Sequence, residues 1–222
     1  MGEHQTVEIA RRLAAGEPFD FVCAGCGDCC RNRRDLVLSG YDLYRIARRL
    51  GLLPRLMADA FCKQEFAPQT LLPAVVLRPN ARTGNCPFFE ADACTIHAAR
   101  PLACALYPLG QAIDPATAAM EYYVQLPLCG ARVSAQEQLT LQNYLDDAAI
   151  TARAGIDARW AVVCTQLSDK LQQAGGRENP RYLPAARRIA RALYFDYSIQ
   201  DDFYPQFNAN TQALWPLLDK ML

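Results

Sequence analysis

The chain has 222 residues, 51% of them hydrophobic, and its 23 basic and 23 acidic side chains give a formal net charge of zero. This size and composition fit one large domain, or a core with an extension, and supply enough apolar side chains for a buried interior. The balanced charge gives no general attraction to nucleic acid or to an anionic membrane, so neither is expected as a partner.

Ten cysteines are many for a chain of this length. They could form disulfides in an oxidising compartment, or they could supply thiolate ligands in a reducing one. The first fifteen residues carry Glu3, Glu8, Arg11 and Arg12 and no continuous apolar run, so no secretory signal is visible, and no later stretch reaches transmembrane length. We therefore expect a cytoplasmic protein with reduced thiols.

The first third of the chain is predicted as short helices and one brief strand. Apolar residues at helical spacing predict a helix over 3–15. A strand over 36–38 should precede a helix over 40–50, which Ser39 can cap. Another helix is expected over roughly 54–66, and its Cys62 lies outside every ligand-like spacing, so we expect an inert buried thiol.

Residues 71–130 show a different sequence pattern, in which Pro, Gly, Asn and Asp interrupt short runs of strand-forming residues. The runs predict strands around 75–77 and 88–89, and a pair near 105–113 and 120–126. Metal-binding knuckles form in such loops, because turn geometry controls where each sulfur points.

From residue 134 onward the chain is predicted to be helical. A capping-box pattern at 134–137 should open a helix that continues to Gly155. Three more helices are expected at about 157–174, 180–195 and 211–221, and Cys164 on the first of these should belong to the core.

The expected fold class is therefore α+β and mainly helical. A small cysteine-rich core with short β-hairpins should pack against N- and C-terminal helices. We place a domain boundary near 133, with a metal-binding domain over 1–133 and a helical extension over 134–222.

The strongest signal is a group of four cysteines within eight residues, Cys23, Cys26, Cys29 and Cys30. The first three form a C-x2-C-x2-C run, which supplies three ligands of a four-iron cluster in bacterial-type ferredoxins. Gly25 and Gly27 can take positive φ angles that let the backbone wrap an ion. Adjacent side chains in extended backbone point to opposite sides, so Cys29 and Cys30 are expected to serve two neighbouring sites, or one as ligand and one beside it.

A second group of cysteines follows at Cys86, Cys94, Cys104 and Cys129. Eight thiols divide into two sets of four, and tetrahedral zinc sites and cubane iron–sulfur clusters each need four. We therefore predict all eight as metal ligands, holding either an iron–sulfur cluster, with 4Fe–4S favoured by the first spacing, or zinc. The alternative is a disulfide framework or scattered buried thiols, and adjacent cysteines make an ordinary disulfide map awkward.

Three further side chains near the second group are candidates for a role around the metal. His97 follows Cys94 by three residues and is expected beside the ligands or at the surface. Arg100 offers an anion clamp next to the sulfurs, and Tyr107 offers a phenolic proton donor. Both could instead be structural, with the Arg bonded to carbonyl groups and the Tyr in the core.

Taken together, these patterns resemble a known family. The Cys23–Cys30 run, the Cys86-Pro-Phe segment, the Cys94-x-Ile-x3-Arg-Pro-x2-Cys-x2-Tyr-Pro segment and Cys129 are similar to the CxxCxxCC cysteine-cluster proteins of the YkgJ type, described as zinc- or iron-chelating. The resemblance covers roughly 19–132 and includes the helix near 42–50. At position 97, where relatives commonly have Tyr, this chain has His.

The resemblance implies metal binding more firmly than it implies a reaction. Such a domain is associated with flagellin lysine methylases, which implies that some members combine a cluster with S-adenosylmethionine. No Gly-rich strand–turn–helix for binding that cofactor is present in the sequence.

Two functions are therefore open. In one, the metal centre acts on a small-molecule or protein substrate, through redox or S-adenosylmethionine chemistry such as methyl transfer. In the other, zinc or iron holds together a non-catalytic interaction or metal-handling domain. Basic runs at 45–49 and 187–191 could contact an anionic partner, although such runs are more often the wet face of a helix.

Overall fold

The structure, a computed structural model, describes residues 9–19, 21, 26–31, 36–125 and 139–222. In these ranges it contains seven α-helices and three small antiparallel sheets. The predicted fold class, α+β and mainly helical, is confirmed.

Within the same ranges, no helix is long and apolar enough to cross a membrane.

The helices are α1 (Gly40–Leu50), α2 (Pro54–Phe61), α3 (Leu102–Leu106), α4 (Leu141–Asp147), α5 (Ala154–Gln173), α6 (Tyr182–Ala190) and α7 (Phe203–Met221). The strands are β1 (Ile9–Leu13), β2 (Val37–Leu38), β3 (Cys62–Phe66), β4 (Pro73–Leu77), β5 (Phe89–Glu90), β6 (Ala93–Cys94), β7 (Leu109–Ile113) and β8 (Met120–Gln125). Short 3-10 turns occupy Asp28–Cys30, His97–Ala99, Thr151–Arg153 and Gly176–Glu178, and a π-helical turn at Arg191–Phe195 extends α6.

The strands form three separate sheets. Strand orders are β1-β8-β7 and β2-β4-β3, and β5 with β6 forms a two-stranded hairpin. In that hairpin Phe89 lies opposite Cys94. Its two-residue turn, Ala91 and Asp92, has φ angles of 46° and 60°, as a type I′ turn requires.

Two hydrophobic cores hold these elements together. The larger core joins α1 and β4 to the C-terminal helices, and Leu43, Val75, Ile189 and Phe207 are at most 1% exposed in it. It thus contains residues from both sides of the predicted domain boundary, which itself falls among residues 126–138, outside the described ranges. The smaller core lies between β1, α3, β7 and α4.

Local signals predict α1 correctly. The Ser39 hydroxyl accepts a hydrogen bond from Asp42 N–H, and the Asp42 carboxylate accepts one from Ser39 N–H, which completes a capping box. Gly51, with a φ of 67°, ends the helix in the left-handed conformation.

The predicted N-terminal helix is wrong for residues 9–13, which form β1; residues 3–8 lie outside the described part of the chain. The segment pairs antiparallel with β8, and Arg12 lies opposite Tyr123. Buried Leu13 joins the smaller core. Pairing with a strand over a hundred residues away therefore overrides the local helical spacing.

The predicted helix over 54–66 is also too long. It ends at Phe61, and residues 62–66 form β3, which pairs with β4 from Cys62 opposite Leu77 to Phe66 opposite Pro73. Cys62 is buried as expected, although on a strand.

The pair of strands predicted near 105–113 and 120–126 corresponds to β7 and β8 in the described residues. The first of them starts later than predicted, because residues 102–106 form α3.

The prediction of one continuous helix from 134 to 155 is wrong for residues 139–155, which the structure describes. Residues 134–138 lie outside that part, and α4 begins only at Leu141. Thr140 caps it by accepting from Asn143 N–H. A turn and a 3-10 segment then lead into α5, whose first turn contains Gly155. The three later helices are confirmed, and α7 starts earlier than predicted, with Pro205 in its first turn, where the missing N–H costs no hydrogen bond.

A close approach at Gly40 allows a stability test. A Cβ at Gly40 would lie 2.0 Å from Leu193 O and 2.7 Å from the Trp160 ring, whereas a Cβ at Gly155 would meet nothing within 4 Å. We expect Gly40→Ala to lower the free energy of unfolding by about 1–3 kcal/mol through overpacking. Gly155→Ala should raise it by about 0.5–1 kcal/mol, because alanine favours the helix. Urea denaturation of both variants measures the difference, and equal effects would contradict the packing described.

Candidate metal centre

The first cysteine segment lies directly against the β5–β6 hairpin. Cys86 N–H donates to Cys30 C=O at 2.8 Å. Arg31 donates to Cys26 C=O at 2.6 Å and pairs with Asp92 in the hairpin turn at 2.8 Å. Cys30 of the first cysteine group and Cys86 of the second are therefore brought together here.

Gly27 makes this approach possible. Its φ is 74°, which side-chain-bearing residues seldom adopt. A Cβ at this position would lie 2.4 Å from the Phe89 ring. Glycine is thus needed both for the backbone conformation and for the contact with β5, while Gly25 lies outside the described residues.

Cys29 and Cys30 lie in a 3-10 turn, so the extended backbone assumed from the sequence is wrong here. Their sulfurs are 4.0 Å apart, about twice the length of a disulfide bond. Two thiolates bound tetrahedrally to one zinc at 2.3 Å stand about 3.8 Å apart. The two sulfurs are therefore spaced closely enough to share one ion.

Four of the thiols are close enough for the charge of one to shift the pKa of another. The hydrogen bond with Cys29, then burial, and then the charges of Cys29, Cys86 and Cys94 raise the pKa of Cys30. Burial and the charge of Cys29 also raise the pKa of Cys94, and an Ile96 N–H hydrogen bond and Arg100 partly offset this. Each thiolate thus disfavours its neighbours, and a bound cation would remove that penalty.

The donor chemistry of these four half-buried cysteines fits zinc or iron, since soft thiolates select such metals. In the described ranges, however, no three His, Cys, Asp or Glu side chains already surround one ion position. Cys26 is exposed, and Cys104 lies half-buried on α3. Cys23 and Cys129 fall outside the described residues.

The three polar candidates occupy different surroundings. His97 Nε2 contacts Arg100 Nη1, and burial followed by the Arg100 charge lowers the pKa of His97. Arg100 is also near enough to Cys94 to lower its pKa. The Tyr107 ring instead meets Phe21 edge-on at 6.4 Å, in the smaller core.

Sequence reasoning missed the role of Arg45, which it assigned to a wet helix face. Arg45 donates to Ala98 C=O at 2.7 Å and to Arg100 C=O at 3.4 Å. It therefore holds the chain between Cys94 and Cys104. Its position three residues after Asp42, on one helix face, was the available signal.

An apolar cavity of about 380 Å³ lies beside α3. Its lining includes Leu102 and Ala103 of α3 together with Trp160, Cys164 and Tyr194. The volume is in the range of small-molecule sites. The helix that carries Cys104 thus borders a space large enough for a small ligand.

Comparison with known proteins adds one finding. Residues 22–130 match the family model CxxCxxCC, which carries the description "Putative zinc- or iron-chelating domain". The matched range contains both cysteine groups and all eight predicted ligands. No curated protein and no solved structure matches the chain.

Thiol reactivity should separate the core cysteines from the exposed one. Burial raises the pKa of both Cys62 and Cys164 to about 12, so at pH 8 about one in 10,000 of these thiols is ionised. Because the thiolate is the nucleophile, both should resist iodoacetamide in the folded, metal-free protein, and their labelling should rise with pH. Exposed Cys26 should react first. Timed mass spectrometry measures the order, with urea-unfolded protein as control; equal rates in folded protein would contradict the burial.

Proposed function

From the membership of residues 22–130 in the CxxCxxCC family, we propose that this chain chelates zinc or iron at a thiolate centre between the first cysteine segment and the β5–β6 hairpin. The supporting observation is the mutual influence of the Cys29, Cys30, Cys86 and Cys94 thiols. These four form the proposed principal ligand set. Cys23, Cys26, Cys104 and Cys129 complete the eight candidates.

The sulfur spacing favours a single tetrahedral ion at this set. A separation of 4.0 Å between Cys29 and Cys30 suits two ligands of one zinc or iron ion. In a cubane cluster each cysteine binds a different iron, which sets the ligand sulfurs farther apart. We therefore propose a mononuclear thiolate site as the main form.

A four-iron cluster is the second form of this proposal. The C-x2-C-x2-C spacing of Cys23, Cys26 and Cys29 supports it. In that case Cys30 would stand beside the cluster as a hydrogen-bonding thiol. The fourth ligand would then come from the second cysteine group.

Nearby positive groups suit a site of either kind. Four thiolates leave about two negative charges around a divalent ion, which cations or N–H donors must offset. Arg100 lowers the pKa of Cys94, and Ile96 N–H donates to the same sulfur. Hydrogen bonds of this kind stabilise thiolate and tune the metal.

We propose that the centre is chiefly structural or metal-handling, with the C-terminal helices as partner surface. A closed four-thiolate site has no open position for substrate, and its ion adds binding free energy to the stability of the fold. Tyr107, the candidate proton donor, packs in the smaller core.

Catalysis is the second candidate function. The cavity beside α3 could admit a small molecule, and Arg100 near Cys94 could bind an anionic group. Redox or S-adenosylmethionine chemistry such as methyl transfer would be performed on a substrate in that space.

Metal content after anaerobic purification tests the proposal. We expect zinc or iron in the wild-type chain and strong loss in Cys30→Ser and Cys94→Ser, because each removes one ligand. Colourless protein without acid-labile sulfide indicates the mononuclear zinc form, and brown protein with sulfide indicates the cluster. Atomic absorption, sulfide analysis and a visible spectrum measure these outcomes.

The matched controls are Cys62→Ser and Cys164→Ser, which remove the two thiols that are not among the eight candidate ligands. Both should keep the metal of the wild-type chain. Retention of metal by Cys30→Ser and Cys94→Ser, or the same loss in all four variants, would contradict the assignment.

A further inference from the structure

The principal ligand set comes from two parts of the chain that are held to the fold in different ways. In the part around the β5–β6 hairpin, Cys86 and Cys94 pack against the larger core. Phe88 and Ile96, close to them in sequence, are buried members of that core. Apolar packing therefore fixes this half of the site.

Buried charges hold the chain that follows the hairpin. Asp42 Oδ1 accepts a hydrogen bond from Leu102 N–H at 3.0 Å and lies 2.8 Å from Arg153 Nη1. Arg153 also binds Asp157 with two hydrogen bonds, at 2.7 and 2.8 Å. The three charged side chains are 4–5% exposed, so the chain after the hairpin is anchored in the protein interior.

The segment that carries Cys29 and Cys30 has less support. In its described residues, 26–31, Cys26 is exposed and neither Cys29 nor Cys30 belongs to a hydrophobic core. The main-chain hydrogen bond from Cys86 N–H to Cys30 C=O ties it to the hairpin side. A segment outside the cores can detach by local opening while the cores stay folded. Its attachment to the hairpin is therefore the weaker half of the site.

Arg31 makes three contacts across this junction. Its Nη1 donates to Cys26 C=O at 2.6 Å, and its Nη2 donates to the Asp92 carboxylate at 2.8 Å. The guanidinium carbon lies 4.9 Å from the centre of the Phe89 ring, and Phe89 is paired with Cys94 in the hairpin. One side chain thus connects the first cysteine segment to the turn and to a strand of the hairpin.

The exposure of these groups determines which property Arg31 can affect. The Arg31 and Asp92 side chains are 40% and 83% exposed, and such pairs add little to global stability. The local equilibrium between attached and detached segment is different, because apparent metal affinity is proportional to the fraction of molecules that can bind. Arg31 should therefore act on metal affinity more than on the unfolding of the cores.

We propose that Arg31 is a positioning residue of the metal centre, which fastens the Cys29–Cys30 turn to the β5–β6 hairpin and so keeps the four thiols together around an ion. The inference rests on the proposed function, because it takes the principal ligand set as given. Groups that orient ligands in this way raise metal affinity without touching the ion.

The test is anaerobic Co²⁺ titration of the full chain carrying Arg31→Met, which removes the charge and the donors and retains much of the apolar side chain. We expect Co²⁺ binding to weaken about 10- to 100-fold. At saturating Co²⁺ the thiolate-to-cobalt absorption band should equal that of the wild-type chain, because all four sulfurs remain. Cys94→Ser, which removes a ligand, should instead lower the band at saturation.

Asp92→Asn is a milder second variant, which also serves if Arg31→Met does not fold. It removes the charge of the partner in the turn and should weaken Co²⁺ binding about two- to fivefold. In the Arg31→Met background the same change should have no further effect, because the two side chains act through one contact.

The matched control is Arg55→Met. Arg55 makes the same two kinds of side-chain contact, an ion pair with Asp59 at 3.1 Å and a ring contact with Phe195 at 4.9 Å, and neither partner belongs to a cysteine segment. This variant should keep the Co²⁺ affinity of the wild-type chain.

Two measurements on metal-free protein separate positioning from a general loss of stability. Urea unfolding of Arg31→Met should match that of the wild-type chain. Hydrogen exchange of the peptide covering 26–31 should be faster in the variant, because the segment detaches more often.

Wild-type affinity in both Arg31→Met and Asp92→Asn would overturn the inference, and so would independent, additive effects of the two changes. A loss of affinity that Arg55→Met shares, or that follows a matching loss of urea stability, would also overturn it. A wild-type chain that binds no Co²⁺ would instead contradict the proposed function itself.

Discussion

Burial of three charges is the constraint on which the rest of the arrangement depends. Moving Asp42, Arg153 and Asp157 out of water costs several kcal/mol for each ion. Burial lowers the pKa of Arg153, yet the two carboxylates together raise it above its ordinary value. Loss of one partner would leave an uncompensated charge, which costs about 3–5 kcal/mol. The helix α1, the start of α3 and the entry to α5 are therefore fixed together.

At the proposed metal centre the unfavourable interaction is repulsion between like charges. The four neighbouring thiols repel each other when ionised, and the pKa of Cys30 is raised accordingly. The fold brings them close through main-chain contacts, such as that from Cys86 to Cys30, which do not need a metal. A cation would then supply the attraction that the thiolates lack. The neighbouring thiols therefore stay protonated unless a cation takes the place of their protons.

Sequence patterns predicted correctly the helix whose two ends depend on residues in or next to the helix itself. The capping residue and closing glycine of α1 lie in the helix itself, so its bounds were predictable. The strand β1 depends on β8, and β3 depends on β4, so spacing alone gave helices at both places. The cysteines were evident from composition, but the 3-10 turn that sets Cys29 beside Cys30 depends on the contact of Gly27 with Phe89. Arg153 and Asp157 have the i, i+4 spacing of a helical ion pair, but nothing in the sequence pointed to Asp42, their partner on a distant helix.

The buried ion pairs and the cysteine cluster are linked through one stretch of chain, the residues between Cys94 and Cys104. Between Cys94 and Cys104, Arg45 holds the carbonyl groups of Ala98 and Arg100, and Asp42 holds the N–H of Leu102. The stretch has little secondary structure of its own, only a 3-10 turn before α3, so side chains of α1 determine its path. Since Arg153 in turn neutralises Asp42, the C-terminal helices act on the cysteine segment through buried charge as well as through apolar packing. The cysteine motif therefore supplies the candidate ligands, and side chains of α1 hold the chain between two of them, Cys94 and Cys104.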